Sequence, residues 1–460
     1  MKAEGLREEL CGADFGDRRL TERLGLLAER VAWKPDVCLP KVLSETELEG
    51  AYRFLNNERV SLDKILAPHI EQTVRRCRET TKVIVAHDTT EFRFEGEARR
   101  GLGRLKVKGR GFYAHLALAL RNHAGREPLG VLAQQTIVRG PKQPRVNPTA
   151  RQKAPDKESR RWWKQVIEVD QRLGAGTRAV HVADREADAY ECFMELLRAG
   201  SRFVIRLAHD RNVDAEGGTS KLENVLATTV TMVEREVQLA VHRGGKGPIG
   251  DRIHPPRDTR LARLAISATS VTLHRPARMP SSWPERMTVN VVRVVELGAP
   301  SGCQPVEWKL VTSEPIETVE QVLDVVDTYR ARWVIEEFFK ALKTGCAIEK
   351  RQHESLSALL NILGVCIPIA WQMLRLRTLA RTSSELPAAQ VLSPAQIQIL
   401  GAHRRTRALM PTQPTVRHAL LAIAALGGHL KRNGEPGWLT LGRGLQDLLV
   451  LEEGWLLASR

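Results

Sequence analysis

The chain has 460 residues, more than one core of ~100–200 residues uses, so several domains are expected and a disulfide-stapled miniprotein is excluded. With 42% hydrophobic and 27% charged residues it has material for real cores, which excludes global disorder. Lys and Arg number 70 against 54 Asp and Glu, a formal net charge of +16 that points to a polyanionic partner. The amino-terminal stretch MKAEGLREELCGADFGD is charged where a secretion signal needs an apolar run, so a cytoplasmic protein is expected. Residues 1–75 read as a helical domain: Leu20, Leu24, Leu27 and Val31 recur at helical spacing, and Ser61 is placed to cap a second periodic run. Its Arg18, Arg19, Arg23, Arg53 and Arg59 face either solvent or DNA.

The pattern then turns to strands. TKVIVAHD, HLALALRN and PLGVLAQQTIVR precede a helix, ESRRWWKQVIEVDQRL, and a fourth strand, TRAVHVAD; a helix from Asp188 and the strand RFVIRLA follow. This order predicts a mixed α/β sheet core over residues 76–372. Between about 207 and 305 the helical signal vanishes, and short apolar pieces alternate with GGKGPIG and HPPRD, as in a β-rich insertion. EWKLVTSEP restores a strand before a long helix expected from Glu317 through Lys343. The run Leu356–Leu374 is apolar, but Asn361, Pro368 and Gln372 interrupt it, so it reads as a buried core helix and no membrane partner is expected. Residues 373–460 read as a helical carboxy-terminal domain. The seven cysteines are scattered without CxxC or zinc spacing, which fits reduced thiols. Cations gather at Arg99, Arg100, Arg104, Lys106, Lys108 and Arg110, and again at Arg151, Lys153, Lys157, Arg160, Arg161 and Lys164, suggesting a phosphate track.

Two acids, Asp88 and Asp184, each close an apolar run, where α/β sheets usually place ligand-binding groups; taken singly, each is equally read as a turn or helix cap. On a continuous helix, about 100° per residue would put Tyr329, Arg332, Glu336, Lys340 and Lys343 in one narrow sector, opposite Val334, Ile335, Phe338 and Leu342. Three carboxylates are what two hard divalent cations about 4 Å apart need to promote in-line phosphoryl transfer, and neighbouring cations can hold phosphates. His87 and His181 adjoin the acids, but Mg2+ prefers oxygen, so both read as structural.

The string YRARWVIEEFFKALKTG fits the Y-x2-R-x3-E-x6-K pattern and resembles the DDE transposases of the insertion-sequence-four family. EGAYRFLNN, DTT, WWK, DREAD, RFVIR and W-x-LVTSEP match in the same order. The resemblance implies an RNase H-like catalytic core, with amino-terminal helices binding transposon ends and carboxy-terminal helices for dimerisation. It implies that Asp88, Asp184 and Glu336 are catalytic and hold two Mg2+ ions, with Mn2+ able to substitute. Tyr329, Arg332, Lys340 and Lys343 are then DNA-binding residues, Trp308 stacks on a flipped base, and Arg206 contacts DNA. Trp308 can alternatively be a core tryptophan, and Arg206 a strand-end salt bridge. The implied partners are double-stranded DNA, as inverted-repeat ends and target, and a second copy of the chain in the synaptic complex. The implied activity is cut-and-paste transposition by strand nicking, hairpin formation and resolution, and strand transfer. A non-catalytic DNA-binding inhibitor of transposition is the alternative, and a stand-alone two-metal nuclease would leave the Tyr/Arg/Lys stripe without a purpose.

Overall fold

The computed structural model describes residues 6–33, 35–96, 99–106, 108–122, 125–141, 157–239, 258–430 and 434–458. Arg151, Lys153 and most of the expected Gly- and Pro-rich breaks at 244–257 lie outside them. The chain divides into two compact units, one formed by Met1–Gln143, Gln171–Arg178 and Trp333–Arg460, the other by Pro144–Asp170 and Ala179–Arg332.

The first unit opens with helices α1 (Leu6–Leu10), α2 (Arg18–Trp33), α3 (Glu45–Leu55) and α4 (Leu62–Arg78). Leu20, Leu24, Leu27 and Val31 are buried as their spacing requires. Ser61 caps α4 by accepting from Lys64 N, and Ser44 and Glu47 form a capping box on α3. Strands β1 (Lys82–Phe94), β2 (Gly103–Arg104), β3 (Arg110–Arg121) and β4 (Pro128–Ile137) follow, with β3 antiparallel to the other three.

A buried polar network ties the helices to this sheet. Arg76 donates from Nη1 and Nη2 to the two Glu9 oxygens at 3.0 and 2.8 Å, and from Nε to Leu129 O at 2.6 Å. His69 Nε2 accepts from Val131 N at 3.1 Å, so Nδ1 carries the proton and donates to Glu9 at 2.6 Å. Gly130 lets β4 come this close: its φ is +139° and a Cβ there would sit 2.0 Å from Thr73 Oγ1.

The second unit holds α5 (Arg161–Leu173), most of which lies in it, then β5 (Arg178–Ala183), α6 (Tyr190–Arg198), β6 (Phe203–Arg206), β7 (Asn212–Ala215), β8 (Gly218–Lys221) and α7 (Leu222–Thr228). After them come β9 (Thr231–Leu239), β10 (Arg260–His274), β11 (Arg286–Leu297), β12 (Glu307–Thr312) and α8 (Val319–Arg330). Its sheet runs β5-β6-β12-β11-β10-β7-β8, parallel only between β5 and β6, with β9 also on β10. The expected β-rich insertion is therefore real, with one short helix, α7, that periodicity missed because seven residues make barely two turns.

Back in the first unit, α9 (Trp333–Lys340) leads into a five-residue π turn, Ala341–Gly345, and then to α10 (Leu356–Thr382), α11 (Pro394–Ala402), α12 (Val416–Leu426) and α13 (Trp438–Ala458). Helix α10 is long and apolar enough to cross a membrane, yet 78% of its most apolar window is buried inside the protein. One of its interruptions is satisfied across the fold: Asn361 Nδ2 donates to Leu55 O at 2.9 Å and Val60 O at 3.3 Å, so the residue is a bridge to the amino-terminal helices. Position 373 lies within this one helix, and α13 packs on α2, so the carboxy-terminal helices share a core with the amino-terminal ones. All seven cysteines are unbridged.

The expected continuous helix Glu317–Lys343 is corrected. Helix α8 starts at Val319, capped by Thr318, and stops at Arg330; Ala331 N and Arg332 N then bond three residues back, to Thr328 O and Tyr329 O, instead of four. A second phase change comes at the π turn, where Cys346 N reaches Ala341 O at 2.8 Å. One sector for Tyr329, Arg332, Glu336, Lys340 and Lys343 requires an unbroken 3.6-residue period, which neither irregularity preserves.

Candidate active site

In the first unit, Asp88 lies inside β1 rather than at a strand end, as expected from the apolar run alone. Pairing continues past it to Phe94 opposite Arg110, because Phe92 and Phe94 are buried and prolong the alternation. Asp88 is half-buried opposite Leu116, and its Oδ1 accepts from Thr89 N at 2.7 Å. His87 and Thr89 alternate to the other face, where Thr89 Oγ1 meets His115 Nδ1 at 2.9 Å and the His87 and His115 rings lie 6.1 Å apart.

Helix α9 packs on β1 through a face that buries Ile335, Phe338 and Phe339. Glu336 sits half-buried in its first turn, Lys340 is exposed at its end, and Lys343 lies with Nζ 5.6 Å from the Phe92 ring on β1. Asp88, Glu336 and Lys343 are thus carried by elements in direct contact within one unit.

In the second unit, Asp184 follows β5 directly and caps a 3₁₀ turn, its Oδ1 accepting from Glu186 N at 2.8 Å. The neighbouring acids are all engaged by cations: Glu186 with Arg161, Asp188 with Arg211, and Glu191 with Lys157 and Arg160. Asp184 has no such ion pair among the described residues. Since β5 and β6 pair in parallel with Ala183 opposite Ile205, the next register step puts Asp184 beside Arg206.

Arg206 donates from Nη2 to Glu307 O at 3.0 Å and hydrogen-bonds the Tyr329 hydroxyl, which Arg332 also engages. It makes no salt bridge to a carboxylate among the described residues. Trp308, half-buried on β12, meets Tyr329 edge-on with ring centroids 5.4 Å apart. Tyr329 and Arg332 are 2% and 6% exposed, so both belong to a buried cluster and not to an open stripe. Burial pushes the Tyr329 phenol above its ordinary value, the Arg332 and Arg206 charges oppose this, and Asp184 adds to it. Burial, with Arg185 and Arg332 nearby, lowers Arg206 from its ordinary value, and Tyr329 offsets part of that.

The structure therefore brings Asp184, Arg206, Trp308, Tyr329 and Arg332 together in one unit and Asp88, Glu336, Lys340 and Lys343 in the other. Neither unit contains, among the described residues, three or more His, Cys, Asp or Glu side chains grouped to hold a metal ion. The chemistry of the three acids nonetheless suits hard cations, since all are oxygen donors and none is substituted by sulfur or imidazole. His181 is bonded through Nε2 to Asp170 at 2.8 Å, which fits a structural role. Lys157, Arg160 and Arg161 are neutralised by the acids named above, so these three cations of the expected phosphate track are paired internally. Sequence reading missed this because the carboxylate partners lie 25–34 residues away.

A mixed α/β core flanked by helices, with acids on a sheet strand and after another, is the architecture of a polynucleotidyl transferase of the RNase H-like class. Residues 79–367 match the family model of the transposase DDE domain, and residues 3–60 match that of a transposase DNA-binding domain. The first match spans more than half of the chain, which therefore belongs to the DDE transposases.

Proposed function

We propose that the protein is a cut-and-paste transposase of the insertion-sequence-four family, similar to the transposase of transposon five. Residues 1–75 bind the inverted-repeat ends, residues 76–372 with the insertion at 207–305 catalyse, and residues 373–460 pair two copies in the synaptic complex, in the cytoplasm where bacterial DNA lies. Asp88, Asp184 and Glu336 hold two Mg2+ ions, with Mn2+ able to substitute. When bound, the ions supply the Lewis acidity that an in-line phosphoryl transfer requires. Tyr329 orders Arg206 and Arg332 so that their charges meet DNA phosphates, Lys340 and Lys343 add further contacts, and Trp308 offers a stacking surface to an extruded base. Water cuts one strand, the freed 3′ hydroxyl attacks the opposite strand to close a hairpin, the hairpin is hydrolysed, and the 3′ ends join target DNA.

The observation that carries this reading is the half-buried Asp184 carboxylate, which has no ion pair among the described residues and lies beside a Tyr–Arg–Arg cluster, while Glu186, Asp188 and Glu191 are each neutralised. In Asp88→Asn, Asp184→Asn and Glu336→Gln, cleavage of a cognate end in Mg2+ should fall by at least ~10³-fold with end affinity nearly unchanged, because affinity comes mainly from cations. A variant that still cuts at the wild-type rate removes its residue from the triad. Wild-type protein that binds ends in Mg2+ and never cuts them returns the chain to the non-catalytic inhibitor.

A further inference from the structure

The stretch Leu386–Gly434 contains neither Asp nor Glu, although the chain as a whole carries 54 acids in 460 residues. Within it, Arg404, Arg405 and Arg407 crowd the turn that follows α11, and all three are exposed. The turn is pinned from beneath. Thr406 is fully buried and its Oγ1 donates to Leu400 O at 2.6 Å, while Arg405 N donates to His403 Nδ1 at 3.2 Å and Arg407 N to His403 O at 2.9 Å. Its backbone is therefore fixed while the three guanidiniums project outward.

Several cations elsewhere in this chain are neutralised. In the second unit Arg235, Arg260, Arg263, Arg293 and Lys309 each meet a carboxylate, and Arg417, within the same acid-free stretch, reaches Glu435 beyond its end. Arg404, Arg405 and Arg407 meet none among the described residues. The carbonyl end of α11 offsets only part of this charge, since its effect is confined to the last turn. Three like charges in four residues, exposed on a pinned turn, are suited to an external anion with several charges spaced along it. No large apolar side chain is exposed from Gly401 to Ala408 to anchor a protein partner.

We propose that this turn is a DNA-contact surface separate from the catalytic cluster, holding the phosphate backbone of duplex DNA without reading its sequence. The inference rests on the transposase reading for the identity of the polyanion. Guanidinium forks match phosphate oxygens, and each phosphate neutralised steepens the salt dependence of binding by about 0.9 in a log–log plot.

The test is a salt titration of binding by the full-length protein to duplex DNA that lacks the element's ends, in EDTA. The R404A/R405A/R407A variant should show a slope shallower by about 2–3 and, at ~0.1 M salt, an affinity at least tenfold weaker. The corresponding triple lysine variant, which keeps the charge, should stay near the wild-type slope, and circular dichroism should be the same for all three proteins. An alanine variant with an unchanged slope overturns the proposal and leaves the cluster to solvent or an acidic protein; a lysine variant as defective as alanine overturns it too. Because no metal is present, this result is independent of the cleavage assay on the acid triad, so either reading can fail without the other.

Discussion

Replacing Tyr329 by Phe removes one oxygen from the centre of the buried cluster and leaves the ring, with its edge-on contact to Trp308, in place. The hydroxyl serves both Arg206 and Arg332. Arg206 is half-buried and keeps its 3.0 Å bond to Glu307 O, so its loss is small. Arg332 is only 6% exposed and cannot recover the lost partner from water, so one hydrogen bond to a charged group, about 1.5–3 kcal/mol, is forfeited. Stability should therefore fall by about 2 kcal/mol, well short of the ~3–5 kcal/mol for emptying a buried aromatic site with Ala. If the hydroxyl holds both guanidiniums against the scissile region, the same loss slows strand cleavage by about 10–100-fold, since 1.4 kcal/mol is a factor of about ten. Affinity for end DNA should stay within about twofold, because a side chain 2% exposed offers DNA almost no surface. Urea melts, single-turnover nicking and equilibrium binding on one end duplex separate the cases. A variant that melts and cuts like wild type refutes the positioning argument, and one that loses mainly affinity restores a direct contact.

Three further outcomes are expected. Burial pushes Glu9 up, but His69 and Arg76 outweigh it and hold it below its ordinary value of 4.5, while burial holds His69 below 6.5 against the pull of Glu9. Both folded-state values are depressed, so their stabilisation is present above 6.5 and is lost first through His69 and then, below 4.5, through Glu9; a melting temperature flat from pH 7 to 4 would contradict this. Trp308→Ala should slow hairpin closure about tenfold more than the first nick, as an aromatic platform recovers ~1–3 kcal/mol of lost stacking; equal losses at both steps with a lowered melting temperature would make it a core residue. Trp455 and Leu456 are 42% and 51% exposed on α13, so Trp455→Asp with Leu456→Asp should leave the fold intact yet abolish cleavage of paired ends, and a folded variant that cuts normally would place the dimer contact elsewhere.

A truncation at Met373 would not test dimerisation. Met373 and Leu374 are buried inside α10, and α13 packs on α2, so cutting there would open the core of the first unit and test folding alone.

Much of this protein is written locally. The spacing of Leu20, Leu24, Leu27 and Val31, the Ser61 cap and the alternating runs of β10 and β11 depend on neighbours a few residues away, so helices, strands and the insertion could be read in order. The acids and the Tyr/Arg/Glu/Lys pattern were legible for the same reason, as residue types at set spacings. What lay beyond local reach was phase and partnership. Helix α8 ends at Arg330 where the backbone tightens to three-residue bonds, and the π turn resets the helix again before Lys343, so the face each side chain occupies is decided by packing. Likewise Lys157, Arg160 and Arg161 look like a phosphate track until folding brings Glu186 and Glu191 to them, whereas Arg404, Arg405 and Arg407 meet no carboxylate among the described residues. A charge and a period are properties of the chain, but whether a charge is spent internally, and which way a period points after a break, depends on residues distant in sequence that only the tertiary structure brings near.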